Sequence, residues 1–315
     1  MELASKFNLN GDEKKIFEDY ISNKMGEKLQ PSKDEEFLDK WNAWIDESSK
    51  KGVASVLNSY LIPKRPVEFK KPECVSVSIY ESIAGKIPII VVGDDDDFEN
   101  LIINLAYRGV RPDNIHQQGA SFLAGKTNRF IVLSKKPYSN IPASWMGLEE
   151  EDWRKKSMVL RRAHECTHYY TRRYYGTSQN NLHDELMADF FGLYAAFGKY
   201  QSKWFTHFMG IDGQNLDGRL SLYTKDLPKA VVDAIGQVAI CCSRFLENWS
   251  ESDEFKSMKE PQRVDFLCKL GISGMFEKCY SWFILNFSKK IGSELLVFSL
   301  LPIFFGYQGI KKLCC

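Results

Sequence analysis

Apolar positions follow a helical period at both ends of the chain and a strand pattern in the middle. Up to about residue 70 they recur every three or four positions, which predicts helices over "GDEKKIFEDYISNKM" and "DEEFLDKWNAWIDESSKKGVASVLNSYL". The next segment, "IPKRPVEFKKPE", contains three prolines and is typical of a connector.

Short β-type runs then occupy residues 75–80, 87–93 and 129–134. Between the last two, "DFENLIINLAYRG" predicts a helix that ends at Gly109. From about residue 148 the helical period returns, with one long helix that stops at Gly176 and a second over "HDELMADFFGLYAAFGKY". Several more helices are expected beyond residue 219, so the pattern as a whole predicts an α+β fold.

Composition and charge narrow the functional classes. The 315 residues are 44% hydrophobic and 26% charged, as in an ordinary soluble globular protein. A net charge of +1 argues against a nucleic-acid binder, which usually carries a strong basic excess. Eight cysteines without a CxxC pair fit free thiols better than a zinc knuckle or a disulfide framework. The N-terminal sequence lacks the pattern of a signal peptide, so a reducing cytoplasm is the expected location.

The apolar run "LLVFSLLPIFFGYQGI", residues 295–310, raises the question of a membrane segment. It is shorter than the ~20 apolar residues that a spanning helix needs, and Pro302 and Gly306 interrupt it. A buried C-terminal segment is the simpler interpretation. A membrane-associated tail, with acylated Cys314 and Cys315, is the alternative.

Two polar stretches resemble binding loops. The run "GDDDDF", residues 93–98, lies between a predicted strand and a predicted helix, where aspartates cap free N–H groups. We therefore expect capping there, with cation binding as the alternative. The segment "GASFLAGKT", residues 119–127, has five residues between its glycines where a phosphate loop needs four, so that interpretation is rejected.

The strongest chemical signal is "HECTH", residues 164–168. His164 and His168 are four positions apart, so on a helix both imidazoles can reach one ion. Imidazole is a good zinc ligand, and Glu165 can take a proton from a water molecule at the ion, whose pKa zinc lowers to about 7. Two ordinary helix histidines are the alternative, and a third ligand must come from elsewhere.

The segment "HDELMADFFG" supplies that third ligand. Glu185 and Asp189 share one face of the second helix, and a zinc ion needs only one of these carboxylates. The other can accept the N–H of a ligating histidine and fix its tautomer. His183 and Asp184 are alternative ligands, but both point away from the Glu185 side of the helix. Cys166 faces away from the ion and is expected to be a packed thiol.

Together, "HECTH" and "ELMAD" resemble the gluzincin-type zinc metallopeptidases, whose pattern is HExxH followed by a helix with ExxxD. The resemblance covers only residues 164–189, so it indicates a superfamily and no particular enzyme. It implies Zn²⁺ as the cofactor, with the following roles: His164, His168 and Glu185 as ligands, Glu165 as general base, and Asp189 as hydrogen-bond partner of a ligand.

The resemblance also implies a fold and an activity. A zincin-like catalytic unit, with a small mixed sheet and active-site helices, is expected at residues 71–200, between helical regions at 1–70 and 201–315. The expected reaction is hydrolysis of a peptide or protein substrate. A non-peptidase zinc amide hydrolase and a regulatory or binding protein on a zincin scaffold are the alternatives. Glu165 argues against the second, because a purely structural site needs no base.

Zincins also use a sheet edge and an oxyanion donor. The edge strand pairs with substrate backbone, and residues 129–136 are the candidate, with an internal strand as the alternative. The candidate oxyanion donors are His207, Tyr194 and Tyr200. Solvated helix faces are expected for the flanking arginines, with contact to an acidic substrate or nucleic acid as the alternative: Arg161, Arg162, Arg172 and Arg173.

Overall fold

The computed structural model describes residues 3–31, 37–125, 128–177, 181–214 and 218–291. Within these ranges the chain forms twelve α-helices and one four-stranded sheet, which confirms the predicted α+β class. None of the described helices combines the length and the apolar character needed to cross a membrane. The apolar run at 295–310 lies outside the described residues.

Most helices lie in the two regions where the apolar period predicted them, α4 lies between strands as predicted, and the short α5 was not predicted. In chain order the helices are α1 (Gly11–Ile21), α2 (Phe37–Lys51), α3 (Val53–Tyr60), α4 (Asp95–Ala106), α5 (Ala143–Met146), α6 (Glu150–Tyr175), α7 (Leu182–Phe197), α8 (Ser202–Met209), α9 (Leu220–Tyr223), α10 (Lys229–Glu251), α11 (Asp253–Ser257) and α12 (Glu260–Ile291). Helix α4 ends three residues before Gly109, where its end was predicted.

The sheet contains four strands, β1 (Val75–Ser82), β2 (Gly85–Val92), β3 (Ala120–Ala124) and β4 (Arg129–Ser134). Their order is β1-β2-β4-β3, with β2 and β4 parallel and the two outer pairs antiparallel. The prediction that residues 129–136 form an edge strand is therefore wrong, because β4 pairs on both sides. Its buried run from Phe130 to Ser134 suits an interior position.

The sequence analysis missed β3, which forms an edge of the sheet from part of "GASFLAGKT". Its five residues are only half-buried or exposed, and so short a run has little apolar pattern. The run "GDDDDF" behaves as predicted for a helix cap. The Asp94 side chain accepts hydrogen bonds from the backbone N–H groups of Asp96 and Asp97 at the start of α4.

The chain divides into two compact units, and the first contains the sheet. This sheet unit comprises Gly26–Asn180 and Met187–Tyr200. Helices α2, α3 and α4 contribute apolar side chains to one core with the strands, and its largest members include Phe37, Trp41 and Phe98. The Trp41 indole N–H donates to the Asn128 side chain at 2.6 Å, so the buried indole has its polar atom satisfied.

The second unit comprises Met1–Met25, Asn181–Leu186 and Gln201–Cys315. Its described part is helical, with an aromatic cluster in which Trp249 lies 4.9 Å from both Phe255 and Phe266, measured between ring centroids. Helix α12 is kinked at Gly271, whose φ of 66° is left-handed. The predicted division of the chain into the regions 1–70, 71–200 and 201–315 stays a prediction.

Candidate metal centre

Helix α6 turns the two predicted histidine ligands towards the protein interior. Its buried positions recur every three or four residues, from Trp153 through Ser157 and Arg161 to His164. His168, one turn later, is half-buried. Acidic residues in the first turn and a left-handed Gly176 after the last turn favour this helix at both ends.

Helix α7 packs closely against α6 because of a glycine. A Cβ atom on Gly192 would lie 2.8 Å from the carbonyl oxygen of Leu160, so only glycine allows this approach. One turn further along α6, His164 contacts Asp189, which lies three residues before Gly192. Successive contacts therefore move towards the C-terminus of α6 and towards the N-terminus of α7, as in an antiparallel helix pair. His168 lies one turn after His164 on α6, and Glu185 lies one turn before Asp189 on α7.

The predicted ligands form the cluster that this packing requires. The Nε2 atoms of His164 and His168 lie 3.0 Å apart. One ligand atom from each of His164, His168 and Glu185 lies within 4.8 Å of the others. A tetrahedral zinc ion with bonds of about 2.0–2.2 Å holds its ligand atoms roughly 3.3–3.6 Å apart. Two imidazole nitrogens and a carboxylate oxygen are a common zinc donor set, so these residues fit Zn²⁺ after small side-chain movements.

The other nitrogen of His164 faces a buried carboxylate. Its Nδ1 lies 2.9 Å from Oδ1 of Asp189, which is the contact that the sequence predicted. Asp189 is fully buried, and the hydroxyl of Tyr138 donates to the same Oδ1 at 2.5 Å. A carboxylate accepts hydrogen bonds, so Nδ1 of His164 carries the proton and Nε2 keeps its lone pair.

Two more carboxylates lie at this end of the helix pair, and they differ in their partners. Oε2 of Glu185 accepts a hydrogen bond from Nη1 of Arg219 at 3.2 Å. Glu165 is 8% exposed, and among the described residues no group forms a hydrogen bond or an ion pair with it.

The family comparison covers most of the region just described. A model described as "Family of unknown function (DUF7005)" matches residues 62–129 and 126–277. The chain belongs to this family. The matched ranges of the DUF7005 model include the sheet, α6 and α7, and therefore every predicted site residue. No curated protein and no solved structure matches the chain.

Other residues of this DUF7005 chain that the sequence offered for the site have different partners. His183 donates from Nε2 to the carbonyl oxygen of Leu267 at 3.1 Å, and burial lowers its pKa to about 4. Nδ1 of His207 lies 2.7 Å from Asp212. Asp184 is buried, Tyr194 and Tyr200 pack against the Phe190 ring, and Cys166 is buried as predicted.

The arginines next to the motif are not all solvated, as they were predicted to be. Arg161 is buried and donates to three backbone carbonyls, and Arg173 is buried and donates to the carbonyl of Ala84. Arg162 lies over the Tyr80 ring, with 4.5 Å from its Cζ to the ring centroid. Only Arg172 has the exposed position expected for all four. Buried backbone carbonyls at the end of β4 explain why Arg161 is inside.

Sequence reasoning missed two residues at this centre, Tyr138 and Arg219. Both come from segments distant in sequence from their partners, and neither lies within a motif. The one available signal for Tyr138 was its place just after a buried strand, where functional side chains often lie. With 14 tyrosines in the chain, that signal could not single it out.

Proposed function

We propose that this protein is a zinc-dependent metallopeptidase of the zincin type. His164, His168 and Glu185 would hold the ion, and Glu165 would act as the general base. The observation that carries the proposal is the 3.0 Å approach of the two Nε2 atoms, made while Asp189 occupies the Nδ1 side of His164.

This arrangement favours an ion over a simple hydrogen bond between the rings. One neutral imidazole could donate to the other, and that contact alone would explain the distance. It would not account for the third ligand-type atom at the same place, because a carboxylate oxygen of Glu185 lies within 4.8 Å of both imidazole nitrogens. Two imidazole nitrogens and one carboxylate oxygen that converge in this way are a donor set suited to a divalent cation.

The reaction follows from the residues around that ion. Zn²⁺, when bound, would polarise the peptide carbonyl and lower the pKa of a water molecule to about 7. Glu165 would take a proton from the attacking water as its oxygen bonds to the carbonyl carbon. When the C–N bond breaks, the same carboxyl would return that proton to the leaving amine.

Two neighbours would maintain this geometry. Asp189 would hold His164 in the tautomer that presents a lone pair from Nε2. Arg219 would orient Glu185 through its contact with Oε2 of the carboxylate. The substrate would be a peptide or protein, and nothing in the net charge favours nucleic acid.

A cytoplasmic location belongs to the same proposal. It is supported by the six described cysteines, all of which are free thiols: Cys74, Cys166, Cys241, Cys242, Cys268 and Cys279. Free thiols persist in a reducing compartment.

The test is Glu165→Gln, which removes the base and keeps the shape of the side chain. Zinc should stay bound, and hydrolysis of a mixed peptide library should fall by about 10²- to 10⁴-fold. The matched control is Glu151→Gln, the same substitution at an exposed position on the same helix, which should leave the rate unchanged.

Three outcomes separate the proposal from its alternatives. Equal activity in Glu165→Gln would overturn the mechanism. A zinc-loaded wild type that cleaves other amides but no peptide would indicate a non-peptidase amide hydrolase. A zinc-loaded wild type inert towards both would indicate a regulatory or binding protein on this scaffold.

A further inference from the structure

Tyr138 occupies a position that no motif marks, at the centre of the hydrogen bonds behind His164. It lies four residues after β4, in a short 3-10 turn, and its side chain is buried. Its hydroxyl oxygen lies 2.5 Å from Oδ1 of Asp189 and 3.0 Å from Nδ1 of His164. The three polar atoms therefore form a closed triangle with no exposed member.

We propose that Tyr138 is a positioning residue that fixes the tautomer and the orientation of His164. The inference rests on the proposed function for its purpose, since a fixed His164 matters for holding an ion. The Tyr138 hydroxyl has one proton, and it donates this proton to the Asp189 carboxylate. Once that proton is donated, the phenol oxygen can accept, and Nδ1–H of His164 is directed at two acceptor oxygens at once.

This triangle excludes the other tautomer of His164. If Nδ1 carried no proton, its lone pair would face the Asp189 carboxylate at 2.9 Å, which is repulsive. With the proton on Nδ1, Nε2 keeps its lone pair on the side of His168 and Glu185. Without the phenol, Asp189 would have one fewer donor and could rotate away from His164.

Helix α6 also holds Tyr138, through two residues that lie one and two turns before His164. The backbone N–H of Tyr138 donates to Oγ of Ser157 at 3.0 Å. The Arg161 guanidinium, one turn before His164, lies 5.6 Å from the Tyr138 ring centroid. It also donates to the carbonyl oxygens of the segment that precedes the tyrosine: Ser134, Lys136 and Pro137, at 3.0, 2.9 and 3.2 Å.

The backbone directly after Tyr138 is strained, and a tyrosine that only filled space in the core would not require this strain. Ser139 and Asn140 both have left-handed conformations, with φ of 51° and 56°. Consecutive left-handed residues other than glycine are uncommon, and such strain gathers where the surroundings over-determine the backbone at functional sites. A tyrosine kept only for its ring could be replaced by phenylalanine, which needs no partner for a hydroxyl.

The test compares Tyr138→Phe with Tyr170→Phe. Both remove one hydroxyl from a buried tyrosine and keep the ring, and the Tyr170 hydroxyl accepts a hydrogen bond from Nζ of Lys28 at 3.0 Å. Competition with a chelator should show zinc binding weakened about 10- to 100-fold in Tyr138→Phe and unchanged in Tyr170→Phe. Equal zinc affinity in the two variants would overturn the inference and leave the proposed function standing.

A second measurement does not depend on zinc. In the metal-free protein, ¹⁵N NMR of the imidazoles should show His164 with its proton on Nδ1, and a mixture of tautomers in Tyr138→Phe. An unchanged tautomer in that variant overturns the inference whatever the zinc result. If the wild type binds no zinc but the tautomer of His164 still differs between the wild type and Tyr138→Phe, the proposed function is refuted and the inference stands.

A double-mutant cycle with Asp189→Asn makes the mechanism specific. If Tyr138 acts through Asp189, then Tyr138→Phe should weaken zinc binding much less in the Asp189→Asn background than in the wild type. Fully additive losses would contradict a route through Asp189.

Discussion

Two buried polar clusters lie near the end of β4, and they differ in the kinds of groups that they bring together. In the first, Nζ of Lys136 lies 2.8 Å from Oε1 of Glu99, and Arg111 contacts the other carboxylate oxygen. In the second, two residues along the chain, Tyr138 joins Asp189 and His164. We call these the Glu99 cluster and the His164 cluster.

The Glu99 cluster is balanced within the protein. Burial raises the pKa of Glu99, but the hydrogen bonds and charges of Lys136 and Arg111 more than offset this effect and hold the pKa below its usual range. The anion therefore stays charged and has its cations beside it. A cluster of this kind is a structural element, and nothing from solution is needed to complete it.

The His164 cluster brings together two imidazoles and two carboxylates. Behind His164, the donors of Tyr138 and Nδ1 match the acceptors of Asp189. In front, the lone pair of Nε2 faces His168, with the Glu185 carboxylate close by. Two imidazole nitrogens and a carboxylate oxygen are a donor set suited to zinc, and the proposal is that they bind an ion here. The Glu99 cluster instead pairs a carboxylate with two cationic side chains of the chain itself.

The largest expected effect comes from removing a ligand. Wild-type protein purified without chelator should carry about one zinc per chain, and His168→Ala should carry almost none, because two groups hold zinc poorly. Chelator should lower the thermal midpoint of the wild type and leave that of His168→Ala unchanged. Elemental analysis gives the zinc content, with His116→Ala, an exposed histidine, as the control that keeps zinc. Full zinc occupancy in His168→Ala would refute the ligand assignment.

The second effect tests the Glu99 cluster. Lys136→Met leaves Glu99 buried with only the exposed Arg111 as partner, so the free energy of unfolding at pH 7 should fall by about 3–5 kcal/mol. Urea unfolding measures this loss. Adding Glu99→Leu should recover most of it, because a pair of apolar side chains leaves no unpaired charge. A stable Lys136→Met protein that had lost zinc would show that the two clusters are not separate.

The pH dependence of that loss follows from the direction of the Glu99 shift. In the wild type the folded pKa lies below the unfolded value, so the stabilisation is complete above about pH 4.3 and is lost as pH falls through the folded pKa. In Lys136→Met the protonated carboxyl is easier to bury than the anion. The difference in unfolding free energy between wild type and variant should therefore begin to shrink above about pH 4.3, where the buried carboxyl of the variant takes up its proton, and should shrink further as pH falls through the folded pKa of the wild type.

The contacts at the site divide into those that the sequence could predict and those that it could not. Contacts within one helix depend only on the helical period, so the shared faces of His164 with His168 and of Glu185 with Asp189 could be read directly. Even the contact between Asp189 and His164 followed, because a short connection makes two helices pack side by side.

Contacts that depend on the path of a loop could not be predicted. Tyr138 reaches Asp189 across 51 positions and Arg219 reaches Glu185 across 34, and no periodic pattern encodes either distance. Arg161 was expected in solvent because charged helix residues usually are, but the carbonyls beyond β4 provide it with buried acceptors. The interior position of β4 also depended on β3, whose short apolar pattern was too weak to identify.

The smallest expected effect comes from changing the packing between α6 and α7. This packing positions the His164 cluster and not the Glu99 cluster. Gly192→Ala would place a Cβ atom 2.8 Å from the Leu160 carbonyl oxygen and 2.9 Å from Leu160 Cδ2, so α7 must shift. Such overpacking should cost about 1–3 kcal/mol of unfolding free energy and weaken zinc binding. The Glu99 cluster lies on other elements, so its acid sensitivity should stay unchanged.

The matched control is Gly236→Ala, also within a helix, where a Cβ atom would meet its nearest neighbours at 3.8 Å. This substitution should raise the unfolding free energy by about 0.5–1 kcal/mol, because alanine restricts the unfolded chain and favours the helix. Urea unfolding and chelator competition on both variants give the comparison. A Gly192→Ala protein with the stability and zinc affinity of Gly236→Ala would mean that α6 and α7 do not need their close approach, and the placement of Glu185 beside His168 would lose its structural basis.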